Sequence, residues 1–153
     1  MSETNAIARA VEVVVKAWSD EEFKSGLLSD SRAALAGLGI EIPPGIELDV
    51  LDNNGVVHHV VVCTECSCWP TFLSPIPPFW KNREYTMRVV EEPKTALVEM
   101  GLALDPDERV EVVDTTPSRR AMVIPRKPDS AERLPTSDLE RHVNNLNIAG
   151  YAR

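Results

Sequence analysis

Cys63, Cys66 and Cys68 fall within the stretch VVCTECSCWP at 61–70, and they are the only cysteines among the 153 residues. Thiols at such close spacing can pair, exchange electrons or bind a metal. Pairing is disfavoured: the number is odd, and Cys66 and Cys68 are too close in sequence to bridge without severe strain. A redox pair would use Cys63-Thr64-Glu65-Cys66, a motif that normally opens a helix. Here Ser67, the third cysteine and Trp69-Pro70 read instead as a loop. A structural zinc site needs four ligands. His58 and His59 are near, but on a strand they point to opposite faces and at most one can turn to the cluster. They read as members of the strand, and zinc stays open as an alternative. The C-x-x-C-x-C spacing also permits a different site. Three sulfurs can take one side of an ion while the peptide nitrogens of Ser67 and Cys68 lie beside it. If those amides lose their protons, an N2S3 site with one open position results. Such donors suit a low-spin trivalent ion better than zinc.

A site of this kind needs a rigid frame, and the flanking sequence indicates one. IELDVLDNNGVVHHVVV is two β-branched runs around Asn53-Asn54-Gly55, which reads as a hairpin whose exit delivers Cys63. SDEEFKSGLL has Ser19 and Glu22 at capping-box spacing, and DSRAALAGLG is a second short helix with Asp30 as cap and Gly39 as stop. WPTFLSPIPPFWKNREY is a proline-rich loop. PKTALVEMG begins a helix with Pro93 in its first turn and stops at Gly101. RVEVVD and RAMVIP are strand-like, residues 126–135 read as a polar linker, and TSDLERHVNNLN can close the chain as a helix. The order helix, glycine, proline turn, hairpin occurs twice, with Gly39 equivalent to Gly101. Two such units predict an α+β protein in which helices pack on mixed β-sheets and the metal loop follows the first hairpin. We expect one domain over 1–153, with N-terminal helices in 1–38, the metal-binding core in 39–125, and a linker and last helix in 126–153.

Composition narrows the partners. A formal charge of -8 argues against a nucleic-acid or anionic-membrane surface, which needs clustered Lys and Arg. The apolar run AIARAVEVVVKAW is interrupted by Arg9, Glu12 and Lys16, too short and too charged to span a bilayer and unlike a signal peptide. A cytoplasmic location, with reduced thiols, is expected. No phosphate loop, dinucleotide fingerprint or Ser-His-Asp set is present.

VVVCTECSCWP, followed by PPFW, EYTMRVV and EPKTALVEMGL, resembles the α subunit of nitrile hydratase from about Trp18 to Gly150. The catalytic subunit of thiocyanate hydrolase carries the same motif and is the alternative, and a non-catalytic metal-binding homologue is a third reading. The resemblance implies Cys63 as the unmodified thiolate ligand, Cys66 as the ligand oxidised to sulfinate and Cys68 as the one oxidised to sulfenate. Ser67 and Cys68 would supply the backbone nitrogens. Thr64 matches the cobalt form of the family, so non-corrin Co(III) is favoured and Fe(III) is the other metal. The implied reaction is hydration of a nitrile to its amide, with Cys66 and Cys68 at the reacting centre. Arg88, in the segment matching E-Y-x-x-R-V-V, would hold the metal loop or the partner. The implied partner is a β-type subunit whose arginines bond the oxidised sulfurs. Three departures stand out: Glu65 replaces the usual leucine, the loop after Cys68 is about one residue shorter, and the long helical arm before Trp18 is largely absent. Trp69, Phe72, Phe79 and Trp80 can line an apolar pocket or anchor their loop. Arg119, Arg120 and Arg126 are expected to face water or the partner.

Overall fold

The structure is a computed structural model that describes residues 8–64, 69–73, 83–127, 139–144 and 147–151. In helix α1 (Ala8–Ser19), Ala10, Val13, Val14, Ala17 and Trp18 recur at the spacing that gives a helix one apolar face, and all five are buried. The indole Nε1 of Trp18 donates to Pro125 O at 2.8 Å, tying α1 to the far end of the strand layer. Helix α2 (Glu21–Ser29) is capped by Asp20, whose carboxylate accepts from Phe23 N at 3.1 Å. The expected Ser19–Glu22 capping box does not form, because Ser19 ends α1 with its hydroxyl donating to Val15 O at 2.9 Å. Helix α3 (Ser31–Ala36) is capped by Asp30 as expected, and the chain leaves it through Gly39 at a φ of 77°.

Strands β1 (Glu47–Asp52) and β2 (Val57–Val62) then frame the Asn53-Asn54-Gly55 turn. The turn is real: Asn54 Oδ1 accepts from the backbone of Val56 at 2.9 Å and Val57 at 3.2 Å. The hairpin expected around it is not. β1 pairs in parallel with β4 (Arg119–Ile124), and β2 pairs in parallel with β3 (Arg109–Asp114), giving two two-stranded sheets. The reason lies in Asn53. Its side chain accepts from His59 N at 2.7 Å and donates to His59 O at 3.3 Å, occupying the edge of β2 that β1 would need. The α+β class holds, with parallel pairs in place of hairpins.

Helix α4 (Arg83–Glu91) lies where the sequence reading placed the end of a loop, and α5 (Pro93–Glu99) begins with proline and gives way to Gly101 at a φ of 99°, as expected. The repeat now has a structural form. α4, α5, β3 and β4 start at 83, 93, 109 and 119, each 62 residues after the starts of α2, α3, β1 and β2 at 21, 31, 47 and 57. The sheets are reciprocal: the first strand of each unit pairs with the second strand of the other. Such exchange suits parallel strands, which are covered on both faces. Val60–Val62 and Ala121–Ile124 are buried without interruption, and they share one apolar cluster with Leu27, Leu35 and Leu97 from the helices.

The continuous last helix expected over TSDLERHVNNLN is absent among the described residues. Single 3-10 turns at Glu140–His142 and Asn147–Ala149 flank Val143, whose backbone is extended. Asn144 and Asn147 each accept, through their side chains, from the other's backbone N–H at 2.9 Å, which competes with helix formation. The segment nonetheless docks firmly. His58 Nε2 lies 2.6 Å from Gly150 O, and the Tyr151 hydroxyl donates to Val61 O at 2.8 Å.

Candidate functional site

Cys63 is the first residue past β2, half-buried, with its Sγ 3.8 Å from Thr115 O. The parallel register places Val62 beside Asp114, so the chain leaving β2 runs alongside the chain leaving β3. Asp114 uses that proximity. Its carboxylate accepts from Thr64 N at 3.0 Å and from Thr64 Oγ1 at 2.6 Å. Arg83, the first residue of α4, donates to Thr64 O at 3.1 Å. All the hydrogen-bonding groups of Thr64 are thus engaged by two other elements.

Five positions later the chain is fixed again. Trp69 is completely buried, and its carbonyl accepts from Arg120 NH1 at 2.7 Å and from Thr71 N at 2.8 Å. Glu65, Cys66, Ser67 and Cys68 lie outside the described residues, as do Phe79 and Trp80. What surrounds the motif is therefore a segment held at its leading end by β3 and α4 and at its trailing end by β4. Of the aromatics expected to line a pocket, Trp69 is an anchor. Phe72 is half-buried, with its carbonyl accepting from Arg9 NH1 at 3.2 Å.

The arginines divide. Arg88 pairs with Glu99 of α5, and it is Arg83 of the same helix that reaches the described part of the loop. Arg119 is exposed but paired, meeting Asp49 at 2.8 Å and Glu47 at 2.5 Å, and these carboxylates raise its pKa further. Arg126 meets Asp105 at 3.2 Å. Arg120 departs from the expectation that it faces water or a partner: it turns inward to Trp69 and to Pro117 O at 3.3 Å. Asp114 and Arg83 were not singled out from the sequence, and Arg120 was read there as facing water or the partner. The parallel register, which sets β3 and β4 beside the loop, is what marks Asp114 and Arg120.

The two histidines are strand members, as read. His58 is buried, 3.8 Å from Glu108 and 3.3 Å from Asn53 Nδ2. His59 is half-buried, and burial lowers its pKa from 6.5 while the Glu111 carboxylate, 3.7 Å away, opposes the shift. Burial also pushes the Tyr85 phenol up, with Arg88 opposing.

The arrangement, a thiol motif at the end of a core strand, can now be set beside known proteins. The profile of the family described as nitrile hydratase, alpha chain, matches residues 1–152. This chain belongs to the nitrile hydratase α-chain family. It is 36% identical over 142 residues to the low-molecular weight cobalt-containing nitrile hydratase subunit alpha of Rhodococcus rhodochrous, covering 92% of this chain and 69% of that protein. It is 30% identical over 155 residues to thiocyanate hydrolase subunit gamma of Thiobacillus thioparus, covering 94% of this chain and 64% of that one. Among solved structures, a double mutant of the Fe-type nitrile hydratase from Comamonas testosteroni Ni1 superposes with a TM-score of 0.87 at 34% identity, covering 95% of this chain and 71% of that chain. Members of the nitrile hydratase α-chain family thus include cobalt and iron forms, and both are similar to this chain. No helix of the described residues is long and apolar enough to cross a membrane.

Proposed function

We propose that this chain is the metal-bearing catalytic subunit of a nitrile hydratase-type enzyme, hydrating a nitrile to the amide. Cys63, Cys66 and Cys68 are the thiolate donors, and the backbone nitrogens of Ser67 and Cys68 complete the set. The observation that carries the reading is the fixed, half-buried position of Cys63 at the end of β2, with Thr64 locked by Asp114. The donors fit a thiophilic trivalent ion: a soft sulfur, partly withdrawn from water, at the start of a segment whose ends cannot drift. Cobalt is favoured, supported by Thr64 and by the cobalt-containing relative from Rhodococcus rhodochrous; iron is the other candidate, in view of the Fe-type structure.

When bound, the ion supplies Lewis acidity that polarises the nitrile triple bond. The chain does the rest. Oxidation by dioxygen would leave two oxygens on Cys66 and one on Cys68. The Cys68 oxygen would attack the nitrile carbon itself, a water then replacing the oxygen it gives up, or would take a proton from a water it orients as that water adds to the carbon; in both routes the water's two protons end on the nitrile nitrogen. Arg83 and Asp114 hold the leading end of the motif so that these atoms keep their places. Arg88 acts at one remove, bracing α4 on α5 through Glu99. One chain forms a single domain and works with a β-type subunit in the cytoplasm. That partner fits the naming of the relative as a subunit alpha.

The test is co-expression of this chain with its partner subunit in cobalt-supplemented cells, followed by amide formation from small aliphatic and aromatic nitriles. Turnover that Cys68→Ala abolishes is the expected result. A complex with stoichiometric metal that turns over thiocyanate and no nitrile would favour the second reading, which the thiocyanate hydrolase relative supports. A complex that holds metal and hydrates neither would leave a binding protein.

A further inference from the structure

Arg120 is an arginine without an acid. Its neighbours in sequence and type, Arg119 and Arg126, meet carboxylates at 2.5–3.2 Å, whereas Arg120 has no carboxylate within ion-pair distance among the described residues. Its donors go to two carbonyls, Trp69 O at 2.7 Å and Pro117 O at 3.3 Å. Its Nε is buried and has no hydrogen-bond partner among the described residues. Drawing a guanidinium partly out of water to serve main-chain carbonyls is costly unless the position does something a neutral side chain cannot.

Its place in the fold supplies the reason. Asp114 ends β3 and Cys63 follows β2 directly, both on the β2–β3 sheet side, and Arg120 belongs to the β1–β4 sheet, opposite Leu48 in register. The leading end of the cysteine motif is therefore fastened to one sheet and its trailing end to the other, five residues apart at Thr64 and Trp69. We propose that Arg120 is a positioning residue. It fastens Trp69, the residue that follows the cysteine motif, to the β1–β4 sheet, and it brings a full positive charge to that end of the motif. The forked guanidinium is what lets one side chain hold Trp69 and the 115–118 turn together. That turn also carries Thr115, whose carbonyl faces Cys63 Sγ, so both ends of the motif are referred to the same short turn. The metal part of this inference rests on the function proposed above; the positioning part does not.

Arg120→Gln and Arg120→Lys, with Arg119→Gln as the control, test it on the full chain in its complex. Arg119 sits on the same strand, and its partners are the exposed Glu47 and the half-buried Asp49 of β1, so its loss should leave the segment alone. In metal-free protein, hydrogen exchange in the peptide covering 64–73 should speed up about tenfold in Arg120→Gln, the loss expected for one charge-assisted hydrogen bond, and remain unchanged in Arg119→Gln. In cobalt-loaded protein, chelator should remove the metal about tenfold faster from Arg120→Gln than from Arg119→Gln. Arg120→Lys, which keeps the charge and one donor, should recover part of both. Equal exchange in the two glutamine variants would overturn the proposal. Altered exchange with equal metal retention would overturn its bearing on the metal segment. A wild-type complex that retains no cobalt would instead strike at the proposed function, with the exchange result still deciding the positioning role.

Discussion

Two glycines with the same backbone demand separate strain from packing. Gly101 and Gly150 have φ values of 99° and 88°, in the left-handed region where a side chain costs about 1–2 kcal/mol. Around Gly101 an added Cβ would meet nothing within 4 Å. At Gly150 it would run into His59 O and sit 2.8 Å from Val60 Cα, both main-chain atoms of the strand that carries Cys63. Neither can give way without moving β2, so Gly150→Ala must lift the terminal segment instead. Lifting it removes the buried contact between His58 Nε2 and Gly150 O and the hydrogen bond from Tyr151 to Val61 O, each contributing about 1 kcal/mol. Gly101→Ala should therefore destabilise by about 1–2 kcal/mol and Gly150→Ala by about 3–4 kcal/mol. For a chain of this length these correspond to melting-temperature losses of roughly 3–6 °C and 8–14 °C. Urea unfolding of the metal-free protein followed by circular dichroism reads the difference, and hydrogen exchange at Val60–Val62 should quicken only in Gly150→Ala. Equal unfolding midpoints for the two variants would refute the claim that the terminal segment is clamped to β2.

The Asp114–Thr64 contact predicts coupling. Asp114→Ala and Thr64→Val should each lower stability, and the double variant should fall short of their sum by about 0.5–1.5 kcal/mol in thermal unfolding; strict additivity would contradict the contact. His59 predicts a pH dependence. Its folded-state pKa lies below 6.5, so the unfolded chain takes up the proton first. The stability it contributes is complete above about pH 6.5 and declines as pH falls towards the folded-state value, then levels off. His59→Gln should flatten that part of the profile, and an unaltered slope just below pH 6.5 would show that the burial of His59 has no such effect. Trp69→Ala should cost roughly 3–5 kcal/mol, the penalty for emptying a completely buried aromatic site. A loss below about 1 kcal/mol would mean that the indole does not anchor the loop.

Helices α2 and α3 and the strand segments were legible because their signals are local, whereas α1 was read only as an apolar run. Asp30 caps, Pro93 starts and Gly101 stops where their chemistry says they should. The α4 helix was missed because its apolar stripe is thin: only Thr86 and Val89 are buried along nine residues. Strand pairing was misread because Asn53-Asn54-Gly55 makes a genuine turn whose flanking strands find partners more than 50 residues away. No local rule announces that choice, and the duplication was read as two helix–hairpin units. For the site, the cysteines were visible as types and spacing. The residues that hold them were not, since Asp114 and Arg120 reach the motif only through the parallel register. Arg88 was marked by similarity to a family segment, yet its partner among the described residues is Glu99, while Arg83 makes the contact with Thr64.

The central claim is that this motif is a metal site whose sulfurs become oxygenated, and one measurement addresses it most directly. Chain co-expressed with its partner in cobalt medium, purified in air and analysed by intact mass and by peptide mass spectrometry over CTECSC, should contain about one cobalt per chain. It should carry two oxygens on Cys66 and one on Cys68, with Cys63 alkylated only after the metal is stripped. On the proposed function, coordination would ionise all three thiols, and air would oxidise Cys66 and Cys68 while sparing Cys63. The Cys68 sulfenate is labile and is read from the intact mass; the Cys66 sulfinate survives digestion. Metal-loaded, air-exposed protein with an unmodified Cys66, or with stoichiometric zinc in place of cobalt or iron, would contradict the account.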